Sequence, residues 1–273
     1  MENINLEKLK EIKLEMLVAF KEICDRHGIT YFLLGGTALG AVRHKGFIPW
    51  DDDIDVGLPR KEYDRFLEIA PKELPAHLFL QTIDSDPHYV SCFSKIRNSK
   101  TTFIETTVAH HDINHGVFID VFPLDGCTDY ALTMKKSKLL KARLSASYAL
   151  SGRRSLKGKI ATLMAKIKYP SVKTACKKLD ALNRSEPYEE CETVINYGGA
   201  WGKRELVPRT VFGEGSIGSF EGIEIRLPAD VDAYLSTMYG DYMTPSPPEK
   251  RVGHHYCTVI DLEKSYIYYT ERR

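Results

Sequence analysis

The chain has 273 residues and a formal net charge of +1, and 43% of its residues are hydrophobic and 27% charged. This composition is typical of a globular protein that buries a substantial core. No apolar run approaches the ~18 residues of a membrane span. The first residues lack the basic and apolar regions of a signal peptide, and the six cysteines show no Cys-x-x-Cys spacing. We therefore expect a cytoplasmic protein whose cysteines form neither disulfides nor a zinc site.

Hydrophobic periodicity predicts alternating helices and strands. Asn5 is placed to cap an amphipathic helix that ends before Gly28. An apolar strand over 31–34 then leads into a helix that opens near Thr37. In chain order we further predict an acidic strand over 53–56, a helix over 61–70, short strands over 81–83, 91–96, 102–105 and 117–122, two strands around a turn at 217–220, and a helix over 231–239.

The most informative segment is the acidic run Asp51-Asp52-Asp53-Ile54-Asp55-Val56. Four carboxylates within five residues repel one another strongly unless positive charge lies among them. Because acidic and apolar residues alternate from Asp53 to Val56, Asp53 and Asp55 are predicted to project from one face of a strand. Such a pair of oxygen ligands suits a hard divalent cation, above all Mg2+.

Two other interpretations of the acidic run are open. A solvated turn is the usual role of such a run, but Ile54 and Val56 give this one a buried face. The acid spacing also matches four ligand positions of an EF-hand calcium loop. Against that loop, Val56 takes the position that requires glycine, and Pro59 takes a further ligand position.

A glycine turn precedes the acidic run. Gly35-Gly36 follows the apolar strand, and a strand-to-helix turn of this kind lets backbone N–H groups approach a phosphate closely. Glycine pairs mark many plain turns, so the signal is weak alone and stronger beside the acidic strand. Arg43 is a candidate phosphate clamp because its guanidinium can bind two oxygens at once. Together these residues indicate phosphoryl-transfer chemistry.

Further candidates lie downstream. Asp120 is a lone carboxylate in a strand of Val, Phe and Ile. It is costly to bury there unless it meets a cation or donors, so structural and site roles are both open. Lys95 is a phosphate contact or a plain surface charge. His254 and His255 either bind a donor phosphate or the acceptor, or pack within the fold. Asp125, next to Gly126, is expected in a turn.

The segment 131–180 is strongly basic. It holds 14 Lys or Arg residues and one acid, Asp180. Apolar residues recur at mostly helical spacing, which predicts two basic amphipathic helices broken near Ser151-Gly152. Such helices are either a solvated face or a contact with an anionic membrane or a phosphate-bearing acceptor. Nucleic acid is disfavoured because no aromatic stacking platform is interleaved.

Three stretches resemble the LicD family, which comprises phosphocholine transferases and relatives that include the fukutin-related proteins. They are 35–56, with the glycine turn and the acidic run; 115–125, with Asp120; and 239–256, with His254-His255. The resemblance implies an α/β (α+β) fold with a nucleotidyltransferase-like mixed sheet and flanking helices. We expect one domain over 1–273, with a core over 1–130, the basic helical segment 131–180, and a part over 181–273 that completes the fold and the site.

The resemblance also implies a metal-dependent enzyme. Asp53 and Asp55 would hold Mg2+ or Mn2+, and Asp120 would complete the metal site or act as general base. The substrate contacts would be Gly35, Gly36, Arg43, Lys95, His254 and His255. The expected reaction moves a phospho-alcohol, phosphocholine first, from a CDP-alcohol donor to a cell-surface glycan such as a teichoic acid or lipopolysaccharide precursor, which is often lipid-linked. From the composition and the basic segment 131–180, and not from the resemblance, we expect a cytoplasmic location with peripheral contact at the inner face of the membrane.

Two rival functions stay open. The chain could be a nucleotidyltransferase that passes NMP itself to a small molecule or a protein. It could instead be a non-catalytic module that binds nucleotide or membrane. Three metal-directed carboxylates speak against the second rival, since a binding module does not need them.

Overall fold

The computed structural model describes residues 5–149, 156–247, 249, 251 and 257–270. The helices are α1 (Leu6–His27), α2 (Gly35–Arg43), α3 (Arg60–Glu73), α4 (Tyr130–Ser145), α5 (Leu156–Lys168), α6 (Val172–Asn183), α7 (Arg209–Phe212), α8 (Val231–Tyr239) and α9 (Ile267–Thr270). The strands are β1 (Phe32–Leu33), β2 (Asp55–Pro59), β3 (Leu78–Gln81), β4 (Ser94–Asn98), β5 (Thr102–Glu105), β6 (Val117–Gly126), β7 (Thr193–Ile195), β8 (Leu206–Pro208), β9 (Ser216–Phe220), β10 (Ile223–Leu227) and β11 (Cys257–Asp261). A 3-10 turn covers Gly202–Glu205.

A seven-stranded mixed sheet forms the centre of the fold. Five strands lie in the order β1-β2-β6-β4-β3, and β7 and β8 extend the sheet from β6. β2 and β6 run parallel, whereas the other neighbours in this sheet are antiparallel. Two separate antiparallel pairs join β9 to β10 and β5 to β11. The mixed sheet with flanking helices confirms the predicted α/β (α+β), nucleotidyltransferase-like fold class.

Helix α1 matches the predicted N-terminal helix. The side-chain oxygen of Asn5 accepts a hydrogen bond from the Lys8 backbone N–H at 3.0 Å, and the helix ends at Gly28, whose φ of 60° is left-handed. Its apolar face, which includes Leu9 and Phe20, is buried in the main core, and the helix packs against β6. The stripe that sequence periodicity identifies therefore anchors the helix to the strand that carries Asp120.

Several boundaries differ from the predictions. β6 continues to Gly126, beyond the predicted end at 122, and the residues 217–220, predicted as a turn, lie within β9. The strand of the acidic run starts only at Asp55, although the residues before it keep an alternating burial, with Asp52 and Ile54 buried. β3 lies before the predicted strand 81–83, because residues 82–85 form a turn in which the Ser85 hydroxyl accepts the Thr82 backbone N–H at 2.8 Å. β4 begins at Ser94, later than predicted.

In its described residues the basic segment contains three helices instead of the predicted two. α4 and α5 lie on either side of the predicted break, and Ser151-Gly152 itself lies outside the described residues. Pro170 follows α5, and the Ser171 hydroxyl accepts the Thr174 backbone N–H at 3.3 Å, so a new helix, α6, begins there. No described helix combines the length and the apolar character needed to cross a membrane.

Candidate active site

A cleft of about 250 Å³ brings the glycine turn and the predicted carboxylates together. Gly35 and Gly36 line one side, and Asp53, Asp55 and Asp120 line another. The parallel pairing of β2 with β6 places Asp55 directly beside Asp120 in the ladder. Residues distant in the sequence thus meet because two neighbouring strands run in the same direction.

The first turn of α2 is tied to the acidic segment through Thr37. The Thr37 hydroxyl donates to the Asp53 carbonyl at 3.2 Å and accepts the Asp55 backbone N–H at 2.8 Å. The Leu34 N–H also donates to the Asp55 carbonyl at 2.9 Å. These bonds fix the distance between the glycine turn and the carboxylates, which a loop alone would leave free to vary.

The backbones of both glycines approach carboxylates closely. Gly35 has a φ of 50°, and a Cβ there would lie 3.3 Å from the Asp55 Oδ2 atom. A Cβ on Gly36 would lie 3.2 Å from the Asp51 Oδ2 atom. The Gly35 N–H already donates to the Tyr234 hydroxyl at 3.0 Å. The turn is therefore held in place by α8 as well as by the acidic segment.

A buried lysine pairs with carboxylates of the acidic run. Within the described residues, carboxylate oxygens of Asp51, Asp52 and Asp53 lie within 4.8 Å of one another, a grouping that could hold a metal ion. The Lys13 ammonium lies 2.6 Å from the Asp52 Oδ2 atom and 3.7 Å from the Asp53 Oδ1 atom. Asp52 therefore points into the protein toward a partner, whereas Asp53 reaches the cleft.

The remaining carboxylates are crowded by one another. Burial, followed by the charges of Asp53 and Asp120, raises the pKa of Asp55 well above its usual range. Burial also raises the pKa of Asp120 against the opposing effect of Lys95, and it raises the pKa of Asp51. A divalent cation removes this repulsion, because its charge stabilises the ionised form of every carboxylate around it. Clustered carboxylate oxygens with too few cations are the donor set that a hard metal ion fits.

Lys95 is not a plain surface charge. It is buried on β4 opposite Asp120, and its Nζ atom lies 2.8 Å from the Asp120 Oδ1 atom and 3.4 Å from the centre of the Phe118 ring. The Lys95 Nζ atom also lies 3.9 Å from the Glu105 Oε1 atom. Lys95 therefore holds the Asp120 carboxylate in place, and its contact with a phosphate stays a prediction.

Arg43 lies at the opposite end of α2 from the glycine turn, roughly 12 Å away at the helical rise per residue. Its guanidinium donates to the Tyr242 carbonyl at 2.6 Å and to the His44 ring at 3.0 Å. Burial and the nearby charge of Arg251 lower the pKa of Arg43. Arg43 does not line the cleft, and its role as phosphate clamp stays a prediction. His254 and His255 lie outside the described residues.

A further side of the cleft was not predicted. This wall is lined by Glu205 of the 3-10 turn, by Trp201, which directly precedes that turn, and by Tyr239 of α8. The two aromatic rings pack edge to face with centroids 5.1 Å apart. The Glu205 carboxylate is buried, accepts the Trp201 backbone N–H at 3.2 Å, and has no cationic partner within the described parts of the chain. Burial raises the pKa of Glu205 to about 7.

Comparison with known proteins agrees with this geometry. The family model described as LicD/FKTN/FKRP, nucleotidyltransferase domain, matches residues 28–149, which include all three predicted metal ligands. The lipopolysaccharide cholinephosphotransferase LicD of Haemophilus influenzae is 31% identical over 98% of this chain and 100% of its own length. The chain belongs to the LicD family. The human ribitol 5-phosphate transferase FKRP is 47% identical to this LicD-family chain over 36 residues, 13% of this chain and 7% of FKRP.

The resemblance seen in the sequence motifs is thus confirmed at the level of the family. The named relatives are phosphotransferases, and this supports a transferase activity for this LicD-family chain. The cluster of Asp51, Asp52 and Asp53, of which Asp53 also lines the cleft, agrees with a metal-dependent member of the family.

Proposed function

We propose that this protein transfers phosphocholine from CDP-choline to a hydroxyl group of a cell-surface glycan, with Mg2+ or Mn2+ as cofactor. The observation that carries the proposal is the meeting of the Gly35-Gly36 turn with Asp53, Asp55 and Asp120 in one cleft. A helix N-terminus favours the phosphates of the donor, and the carboxylates favour the cation that phosphates also bind.

In this mechanism Asp53 and Asp55 would hold the cation, which would supply positive charge to stabilise the leaving CMP phosphate. The acceptor oxygen attacks the phosphorus of the phosphocholine group, and the bond from that phosphorus to the CMP phosphate oxygen breaks. Asp120 takes the hydroxyl proton or completes the metal site. Lys95 fixes the orientation of Asp120 through their 2.8 Å ion pair.

The unpredicted wall of the cleft supports choline as the alcohol. A quaternary ammonium binds favourably against Trp and Tyr faces, and a nearby carboxylate adds charge attraction. Trp201, Tyr239 and Glu205 provide these groups in the lining of the cleft. Glycerol and ribitol carry no charge and gain neither contribution.

The decisive experiment incubates the protein and Mg2+ with CDP-choline, CDP-glycerol, CDP-ribitol and CTP in separate reactions. The expected product is CMP, released fastest from CDP-choline. The Asp55→Asn variant is the control, because it should fold and release no CMP. Pyrophosphate from CTP would instead support a nucleotidyltransferase, the function that the family description also names. No product from any donor, with a teichoic acid or lipopolysaccharide acceptor present, would favour a non-catalytic module.

A second experiment tests the alcohol site. Glu205→Gln and Trp201→Leu should each raise the KM for CDP-choline at least tenfold while changing the KM for CDP-glycerol little. Equal effects on both donors would show that these residues only shape the cleft.

The acceptor is proposed from the family, and the location is proposed from the composition and the basic segment of the sequence. A teichoic acid or lipopolysaccharide precursor carries the hydroxyl, and the enzyme works in the cytoplasm, in contact with the inner face of the membrane through the segment 131–180. Nucleic acid is not a proposed partner.

A further inference from the structure

Helix α5 exposes its large apolar side chains instead of burying them. The exposed fractions are 74% for Leu156, 52% for Ile160, 61% for Leu163, 54% for Met164 and 74% for Ile167. The buried residue of this helix is the small Ala165. A helix of a globular protein usually turns its large apolar residues toward the core, so the orientation of α5 is the reverse of the usual one.

The exposed residues form one continuous stripe. At ~100° of rotation per residue, the five apolar side chains fall within a sector ~100° wide. The opposite face carries only small residues, which are buried or half-buried and face the neighbouring helix α4: Gly158, Ala161, Thr162 and Ala165. The small residues allow α5 to pack closely against α4, and they leave the whole apolar stripe directed outward.

Lysines border the stripe on both sides. By the same helical geometry, Lys157 and Lys168 lie along one edge and Lys159 and Lys166 along the other. The helix contains no acidic residue, and in the described parts of the chain none of these four lysines forms an ion pair. By contrast, Lys173 and Lys177 of α6 both pair with Asp84, at 3.0 and 2.8 Å.

We infer that α5 is an interfacial helix that inserts its apolar stripe into a membrane surface rich in anionic lipid. An apolar stripe between two rows of lysines matches a bilayer, in which acyl chains lie beneath anionic headgroups. At ~1.5 Å per residue the helix is roughly 20 Å long, too short to cross the ~30 Å hydrocarbon core, so it lies in the plane of the surface.

A second copy of the chain fits this face less well than a membrane. In a two-fold pair the same patch meets itself, so the lysine edges of one helix would lie against the lysine edges of the other. Repulsion between like charges would oppose that contact. The charge pattern therefore favours an anionic occupant with an apolar interior.

This inference does not depend on the reaction that the cleft catalyses. It narrows the expectation that the basic segment 131–180 contacts an anionic membrane. That expectation assigned docking to basic charge along the whole segment. The structure restricts it to α5, since α5 is the helix of this segment in which unpaired lysines accompany an exposed apolar stripe within the described residues.

The test is sedimentation of the full chain with vesicles, which contain either equal parts of phosphatidylglycerol and phosphatidylcholine or phosphatidylcholine alone. We expect binding to the anionic vesicles at ~50 mM salt and at least tenfold weaker binding at ~500 mM salt. The triple variant Ile160→Ser, Leu163→Ser and Ile167→Ser should bind at least tenfold more weakly. The variant in which the four α5 lysines become Gln should lose the preference for anionic vesicles.

Matched controls separate this stripe from apolar exposure and positive charge in general. Ile217 on β9 is also exposed, at 64%, and Ile217→Ser should bind as the wild type does. Lys135→Gln with Lys136→Gln on α4 should likewise retain most of the binding. Circular dichroism and thermal melts check that each variant folds.

Three outcomes would overturn the inference. One is absence of wild-type sedimentation with anionic vesicles at low salt. Another is a triple serine variant that folds and binds as tightly as the wild type. The third is a wild-type dimer in light scattering that the triple variant converts to a monomer, without vesicle binding, which would make the stripe a contact between copies.

Discussion

Asp120 and Asp125 lie on the same strand, β6, and their carboxylates meet opposite surroundings. Asp125 is buried and accepts two hydrogen bonds from the Arg60 guanidinium, at 2.6 and 2.7 Å. Asp120 lies beside Asp55 in the sheet and has Lys95 as its close cationic partner in the described structure. Matched charges stabilise the fold at one end of the strand, whereas crowded carboxylates at the other end retain a repulsion that a metal ion can relieve.

The first prediction concerns the crowded end and carries the largest expected effect. Asp55→Asn and Asp120→Asn should each lower CMP release about 10⁴-fold, a loss of about 5.5 kcal/mol of transition-state stabilisation. Without metal, Asp55→Asn should not melt below the wild type, because it removes a crowded charge. Asp120→Asn should melt lower, because it leaves the buried Lys95 with Glu105, at 3.9 Å, as its remaining acidic partner in the described structure. Initial rates at saturating Mg2+ and thermal melts in EDTA measure the two effects. A variant that folds and retains more than about a tenth of the activity would remove that residue from the site.

The second prediction concerns the paired end. Asp125→Asn leaves the buried Arg60 guanidinium with Asp180, at 3.0 Å, as its remaining acidic partner, and it should lower the free energy of unfolding by up to about 3 kcal/mol. Urea denaturation measures the change, and the surviving folded fraction should keep its turnover per molecule. Because the substitution is the same as Asp120→Asn on the same strand, each variant controls for the other. Lost turnover at unchanged stability would place Asp125 in the site.

The two aspartates also show how far the sequence could be interpreted. The Asp53–Val56 alternation and the Gly35-Gly36 turn were recognisable because they are local patterns, and their meeting with Asp120 followed from the family resemblance. Asp125 was wrongly expected in a turn, since its partner Arg60 lies on α3 and no local pattern joins the two. The alternation over 53–56 also predicted correctly which of these side chains are buried, although the strand itself begins only at Asp55.

Two further site residues were missed for different reasons. Lys13 occupies the buried face of α1 between Leu9 and Met16, so a charge within an apolar stripe was a usable signal of a buried acidic partner. Glu205 gave no such signal, because the exposed-looking sequence around it is rich in glycine and charge. Only the packing of the chain brings it to the cleft wall.

The third prediction uses Glu205, which is buried without either a cationic partner or crowding acids in the described part of the chain. Burial raises its pKa from 4.5 to about 7. A raised carboxylate pKa contributes stability that is full below about pH 4.5 and is lost as the pH rises through about 7. The wild type should therefore lose about 3 kcal/mol across this window relative to Glu205→Gln. Unfolding free energies at a series of pH values measure the difference, and parallel curves would show that the pKa of Glu205 is the same in the folded and unfolded protein.

The last prediction applies the same sign rule to the crowded carboxylates, with metal as the variable. The raised pKa of Asp55 means that, in EDTA, stability falls as the pH rises and the carboxylate ionises. Mg2+ binds the ionised form, so at neutral pH and 100 times its Kd it should stabilise the wild type by about 2.7 kcal/mol. The stabilisation should vanish in Asp55→Asn and persist in Asp125→Asn, if that variant is folded at the assay temperature. Thermal melts with and without Mg2+, at constant ionic strength, measure these differences. Equal stabilisation of Asp55→Asn and the wild type would place the cation elsewhere on the protein. The carboxylates at the two ends of β6 would then differ only in their burial.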